Sequence, residues 1–377
     1  MTAETVFTNA VLVLPDAVIP GTVIVRGGAI TGVQPGCSAM AAAIDCDGDY
    51  LIPGIVDLHT DNLERQVQPR SLARWPSRSA MVAHDAQCAA AGVTSVFDAL
   101  CLGDLGFDAE RIRTFEDGVV DLDALTDAAL LKAEHFLHLR CEVPAADMLR
   151  HLDAAVGHRL VRMVSLMDHS PGVGQYANID FYRALRRRGG LDEATIDRRI
   201  RELQEQRERL RGPNRQALLE RVRGRNIALA SHDDRTEAEI ADNAADGILI
   251  SEFPVTMAAA CAAKAADMDV IAGAPNIVRG GSHSGNVAAA DLLASEAVDA
   301  FASDYVPNSL VEAAFMCAEG IGLPRAIAMV TEQPARLAGL TDRGRIAPGE
   351  RADLVRVRMH DTLPVVRQVW RAGDRIA

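Results

Sequence analysis

Lysine is nearly missing from this sequence. Only Lys132 and Lys264 occur among 377 residues, and neither follows a glycine, so there is no phosphate-cradling Gly-x-x-x-x-Gly-Lys loop. Aromatic residues are scarce at 4%, which leaves alanine, valine, leucine and isoleucine to fill the core. The seven cysteines are odd in number and scattered, with no Cys-x-x-Cys pair. That argues against a disulfide framework and for a reducing, cytoplasmic setting. No apolar run reaches 18 uncharged residues, so no membrane span is expected. The opening MTAETVFTNAVLVLPDA lacks the charged start and small-residue cleavage site of a signal peptide. No Gly-x-Ser-x-Gly elbow and no cysteine nucleophile motif are present, which favours attack by activated water over a covalent intermediate. Positive charge is also short. A net charge of −13 makes non-specific nucleic-acid binding unfavourable. A small anionic substrate remains open, because a metal ion and a few arginines override the global field locally.

What is present describes a large core. Hydrophobic residues make up 49% and charged residues 24%, an ordinary globular composition. The length suits a (β/α)8 barrel of about 250 residues plus one smaller domain. Residues 1–50 alternate apolar and polar in short runs such as Val11-Leu12-Val13-Leu14 and Val23-Ile24-Val25. The stretch 344–377 reads the same way, with strands expected at 353–358 and 365–370. Together they predict one small discontinuous β-sandwich domain, since chain termini often lie close together. In residues 51–343, apolar runs alternate with helix-length segments. Eight strands are predicted at 51–58, 93–100, 135–142, 160–168, 226–232, 247–253, 269–274 and 298–303, which implies a distorted, closed α/β TIM barrel of parallel strands. Thr236 with Glu239, and Ser309 with Glu312, read as capping boxes.

Catalytic groups of such a barrel sit at the carboxyl ends of its strands. The first predicted strand runs out at His59-Thr60-Asp61, where residues two apart point the same way and aim an imidazole and a carboxylate at one place. The third ends at His138-Leu139-Arg140-Cys141-Glu142, the fourth at Asp168-His169, the fifth at His232-Asp233-Asp234, the sixth at Glu252 and the eighth at Asp304. One such residue means little. Six strand ends of this kind would be costly to bury together unless a divalent metal neutralised them. Imidazole and carboxylate donors suit zinc, and the carboxylate share leaves manganese or iron open. Asp304 is the candidate proton acceptor. After the seventh strand, the Gly-rich run 273–286 carries Arg279, Ser282 and His283, which reads either as an anion-binding loop or as a plain turn. The connection 178–225, with Arg186-Arg187-Arg188 and RRIRELQEQRERLRG, reads first as a solvated helix held by i,i+4 ion pairs, and otherwise as a lid over an anionic substrate.

These residues resemble the amidohydrolase superfamily. Leu51-Ile-Pro-Gly-Ile-Val-Asp-Leu-His59 is similar to its first barrel strand, and Thr331–Leu340 with Gly349–Val355 to its C-terminal signature. Longer stretches resemble a branch of phosphonate metabolism: His59–Glu64, His138–Glu142, Ser165–Gly172, Ala230–Asp234, Gly273–Asn286 and Ser303–Tyr305. The resemblance implies a metal-dependent hydrolase that releases diphosphate from α-D-ribose 1-methylphosphonate 5-triphosphate in the carbon–phosphorus lyase pathway. It implies His59, Asp61, Glu142, His169, His232 and Asp304 as ligands of one or two ions. Glu142 would replace the bridging carbamylated lysine of other members, for which this chain has no candidate. Arg140, Arg279, Ser282 and His283 would hold the phosphorylated ribose, and Arg65 and Arg70 also lie near strand ends. Two readings compete: a deaminase or deacetylase acting on a C–N bond, and a non-catalytic barrel scaffold. The arginine-rich loops weigh against the first, and the retained His59, His169, His232 and Asp304 against the second. A homo-oligomer stays open.

Overall fold

Strands at the two ends of the chain share one sheet. The structure is a computed structural model that describes residues 4–70, 73–106, 109–282 and 285–377. Strands β1 (Glu4–Val13), β2 (Val18–Arg26), β3 (Ala29–Pro35), β4 (Ile44–Asp45) and β5 (Tyr50–Pro53) precede the barrel, and β14 (Leu354–His360), β15 (Leu363–Arg371) and β16 (Asp374–Arg375) follow it. Their order is β16-β15-β14-β5-β1-β2-β3, mostly antiparallel, with β4 beside β1. Phe7 on β1 and Trp370 on β15 lie three strands apart on this path, about 14 Å in a flat sheet. Their ring centroids are nevertheless 4.8 Å apart, edge to face. The sheet therefore curls over itself and buries Leu12, Val23, Leu51 and Leu354 between its halves.

The barrel is built from β6 (Ile55–Thr60), β7 (Val93–Leu102), β8 (Glu134–Glu142), β9 (Val161–Met167), β10 (Ala228–His232), β11 (Ile250–Glu252), β12 (Asp269–Gly273) and β13 (Ala300–Ala302), parallel and in sequence order. All eight overlap the predicted runs. The first is displaced, because residues 50–53 pair with β1 and β14 in the small sheet and the barrel strand starts only at Ile55. Gly54 makes the crossing. A Cβ there would stand 2.3 Å from the Thr94 hydroxyl and 2.6 Å from the Asp353 Cβ, so no other residue fits. Phe97, Phe136, Met163, Ile250 and Ile271 plug the interior. The seam between last and first strands closes through Asp304, whose N–H donates to the His59 carbonyl at 2.9 Å and whose carbonyl accepts from the Asp61 N–H at 2.5 Å.

Thr236 and Glu239 form the predicted capping box. Ser309 does not cap: its helix starts at that residue, and its hydroxyl donates instead to the Val306 carbonyl. Lys132 lies in the turn before β8, where its ammonium donates to the Ile376 carbonyl. Between β9 and β10 runs the long charged connection, with a helix over Ile179–Arg188 and a second over Glu193–Val222. It has a small core of its own in Tyr182, Ile196 and Ile200. Asn214 pins it to the barrel by donating to the carbonyls of Val143 and Ala145 at 2.9 and 3.0 Å.

Candidate metal centre and active site

Three imidazoles meet at the carboxyl end of the barrel. His59 Nδ1 donates to Glu252 Oε1 at 2.7 Å and His232 Nδ1 to Glu252 Oε2 at 2.9 Å, so one fully buried carboxylate orients two rings. His169 Nδ1 donates to Glu142 Oε2 at 2.7 Å, while the His169 backbone N–H takes the other oxygen at 2.7 Å. A carboxylate on Nδ1 fixes each ring and leaves Nε2 facing the mouth, the arrangement that metal-binding histidines use. Asp233 Oδ2 lies 3.6 Å from His169 Nε2 and 3.7 Å from His232 Nε2, and Asp61 Oδ1 lies 3.6 Å from His59 Nε2. Three ligand-type groups result: His59 with His232 and Glu252, His169 with His232 and Asp233, and His59 with Asp61 and Asp304. His169 Nε2 and Asp233 Oδ2 are both buried without a hydrogen-bond partner. A buried lone pair with no donor is costly unless a cation meets it, so the residues present fit a divalent ion.

Local backbone geometry aims the carboxylates. A register shift in β6 between Asp57 and Thr60 turns the strand end. Asp233 and Asp304 directly follow β10 and a residue past β13, with φ of 57° and 56°. This left-handed conformation, which aspartate tolerates better than most residues, folds the chain back over the mouth. Burial raises the Asp304 carboxyl, and the neighbouring Asp61 charge adds to this, to about 7. Burial opposes charge on His59 and His169, but Glu252 beside the first and Glu142 beside the second hold them up at about 10 and about 9. His138 differs: burial pushes it down to about 3. It is satisfied by the Leu58 carbonyl and the Ser165 hydroxyl at 3.0 Å each, beneath the mouth.

The predicted site residues spread over several positions. His59, Asp61, His169, His232 and Asp304 line one cavity of about 360 Å³. Glu142 stands behind His169 with both oxygens taken, and among the described residues no ligand-type group includes it. The carboxylate held between two imidazoles is Glu252. Arg140, Arg279 and Ser282 line the cavity, and His283 lies outside the described residues. Arg65 instead donates to the Tyr305 carbonyl. Of three further lining residues, sequence reasoning passed over Arg111 and met Asp233 and Arg186 only within longer runs. Asp233 was visible only as part of a His-Asp-Asp run. Of the three consecutive arginines, Arg186 faces the cavity and stacks over Tyr182 at 4.8 Å, whereas Arg187 pairs with Glu193 at the surface.

The amidohydrolase family model matches residues 216–376. Over 98% of its length the chain is 41% identical to the whole of α-D-ribose 1-methylphosphonate 5-triphosphate diphosphatase of Escherichia coli (strain K12). Among solved structures, 5-methylcytosine deaminase from Klebsiella pneumoniae is similar with a TM-score of 0.65 at 15% identity, covering 100% of this chain and 97% of that one. N-acetyl-D-glucosamine-6-phosphate deacetylase from Mycobacterium smegmatis is similar with a TM-score of 0.64 at 16% identity, covering 99% and 100%. At those identities the likeness concerns the fold.

Proposed function

The chain belongs to the amidohydrolase family, and from that membership we propose that it is a metal-dependent hydrolase converting α-D-ribose 1-methylphosphonate 5-triphosphate to the 5-phosphate and diphosphate. The observation that carries this reading is the pairing, in one mouth, of histidine–carboxylate ligand groups with Arg111, Arg140, Arg186 and Arg279. Carboxylates and imidazoles alone would serve many substrates. A triphosphate also needs several cations around its oxygens as charge builds in the transition state.

His59, His169, His232, Asp61, Asp233 and Asp304 would supply the ligands of one or two ions, with zinc as first choice and manganese or iron compatible with the same donors. A divalent ion there acidifies water and offsets phosphoryl charge. Glu252 and Glu142 keep the three imidazoles in the tautomer that leaves Nε2 free. Asp304 accepts the proton of the attacking water and returns it as the bridge between the first and second phosphorus breaks. Arg279 and Arg186, which both line the cavity, orient the anionic groups of the substrate.

Phosphorus NMR of the metal-loaded protein with this substrate, and with ATP as a control, tests the reading. Diphosphate from the ribose compound is expected. Absence of any phosphorus product from either compound, in protein shown to hold metal, would overturn it and turn the search to C–N bonds.

A further inference from the structure

Arg140 stands among the ligand-type residues, not beyond them. It lies on β8 between His138 and Glu142 and is 5% exposed. Its Nη1 donates to both oxygens of Asp61, at 2.8 and 2.9 Å, and its Nη2 lies 3.4 Å from His232 Nε2. The His232 Nδ1–H is committed to Glu252, so its Nε2 presents a lone pair and Arg140 faces that lone pair as a donor. The guanidinium thus meets a carboxylate on one side and an imidazole lone pair on the other, the contacts a metal ion would make. The opposite side of the mouth is different. There His169 Nε2 and Asp233 Oδ2 are buried 3.6 Å apart with no hydrogen-bond partner.

We infer that Arg140 is a built-in second cation: the mouth takes one divalent ion at the His169–Asp233 side, and the guanidinium occupies the place of a second ion beside Asp61 and His232. This rests on reading the mouth as a metal centre. Glu142 and Glu252 are committed to imidazole N–H groups, and Arg111 is paired with Glu64 at 2.8 Å. Asp61, Asp233 and Asp304 remain as the carboxylates that face the mouth, and both oxygens of Asp61 are already taken by the guanidinium. A second divalent ion beside Arg140 would set two cations competing for the same Asp61 oxygens. An arginine suits this role, because its charge is permanent and its planar fork holds a carboxylate while keeping other N–H groups for a phosphoryl oxygen. Its buried Nε has no hydrogen-bond partner within the protein.

The test is metal content, read without substrate. Intact protein is equilibrated with Mn2+, desalted and assayed by elemental analysis, with the Mn2+ EPR spectrum as a second readout. The wild type is expected to hold one ion per chain with the spectrum of an isolated ion. Arg140→Met, which removes the charge and keeps much of the bulk, is expected to take up a second ion and show a spin-coupled pair. Arg140→Lys is expected to stay at one. Two ions in the wild type, or one ion in Arg140→Met, would overturn the inference. Should Arg140→Met fail to fold, the wild-type and Arg140→Lys stoichiometries still decide it. Neither readout depends on diphosphate release, so a failure of the proposed activity is recognised separately.

Discussion

Among the described residues, two buried clusters of histidine and aspartate lie in this barrel, and one of them has the features of a working site. The second lies on the outer side of β7 and β8, against the helix Ser77–Ala90. His84 Nε2 donates to Asp98 Oδ1 at 2.7 Å, His135 Nδ1 to Asp98 Oδ2 at 2.8 Å, and His135 Nε2 to Asp85 Oδ1 at 3.2 Å. Asn62 closes the chain by donating to His84 Nδ1 at 2.9 Å. By residue type His84, Asp98 and His135 qualify as metal ligands as well as the mouth residues do. Their ring and carboxylate atoms all have partners, however, and none of the three lines the mouth cavity. In the mouth, Nε2 of His169 and Oδ2 of Asp233 are left over. The comparison teaches that unmet buried lone pairs beside a cavity mark a centre, and that ligand-type residues alone do not.

The largest expected effect breaks the mouth and spares the network. His232→Ala and Asp304→Asn should each lower kcat/KM for the triphosphate by about a thousandfold or more, with an unchanged circular dichroism spectrum. Near-normal turnover in either variant would remove that residue from the mechanism.

Next in size is the converse. Asp98→Asn leaves the buried His135 short of a counter-charge and should destabilise the fold by about 3–5 kcal/mol in urea titrations, with metal content unchanged. Loss of bound metal in this variant would make the network part of the centre and erase the distinction.

A pH dependence sharpens the same contrast. Burial works against a charged His135, but Asp98 and then Asp85 outweigh it and raise its pKa from 6.5 to about 9. A folded pKa above the unfolded one gives stability that is complete below about 6.5 and is lost as pH rises through about 9. The wild-type urea midpoint should therefore fall between neutral pH and about 10, by up to about 3 kcal/mol in stability, and His135→Gln should flatten that slope. A parallel slope in both proteins would exclude a charged His135.

The smallest effect belongs to the surface. Arg187 and Glu193 pair where both side chains are more than half exposed. Arg187→Ala should leave the urea midpoint and the turnover unchanged, because exposed pairs contribute little. A clear loss of turnover would extend the cavity wall beyond Arg186.

Much of this protein was legible before any coordinates. Period-two and apolar runs marked all eight barrel strands, because a parallel strand covered on both faces must be apolar throughout. Strand-end residues such as His59, His169, His232 and Asp304 followed from the rule that chemistry sits at carboxyl ends. The first strand was misplaced because 51–58 is apolar on both sides of Gly54. Hydropathy records burial, and it does not record which sheet does the burying.

What the sequence determined by itself was the set of elements and the cast of ionisable residues, since these depend on local periodicity and residue type. The tertiary structure decided which carboxylate partners which ring. Glu142 and Glu252 are both strand-end glutamates, and only the barrel's closure sets one behind His169 and the other between His59 and His232. It likewise decided that Asp61 faces Arg140, that Arg186 faces the cavity while Arg187 faces water, and that His84 and His135 are saturated. Each of these depends on distances between residues tens to hundreds of positions apart in the chain. Hydrogen bonds and Coulomb forces act over a few ångströms in space, and nothing local in the sequence encodes those separations.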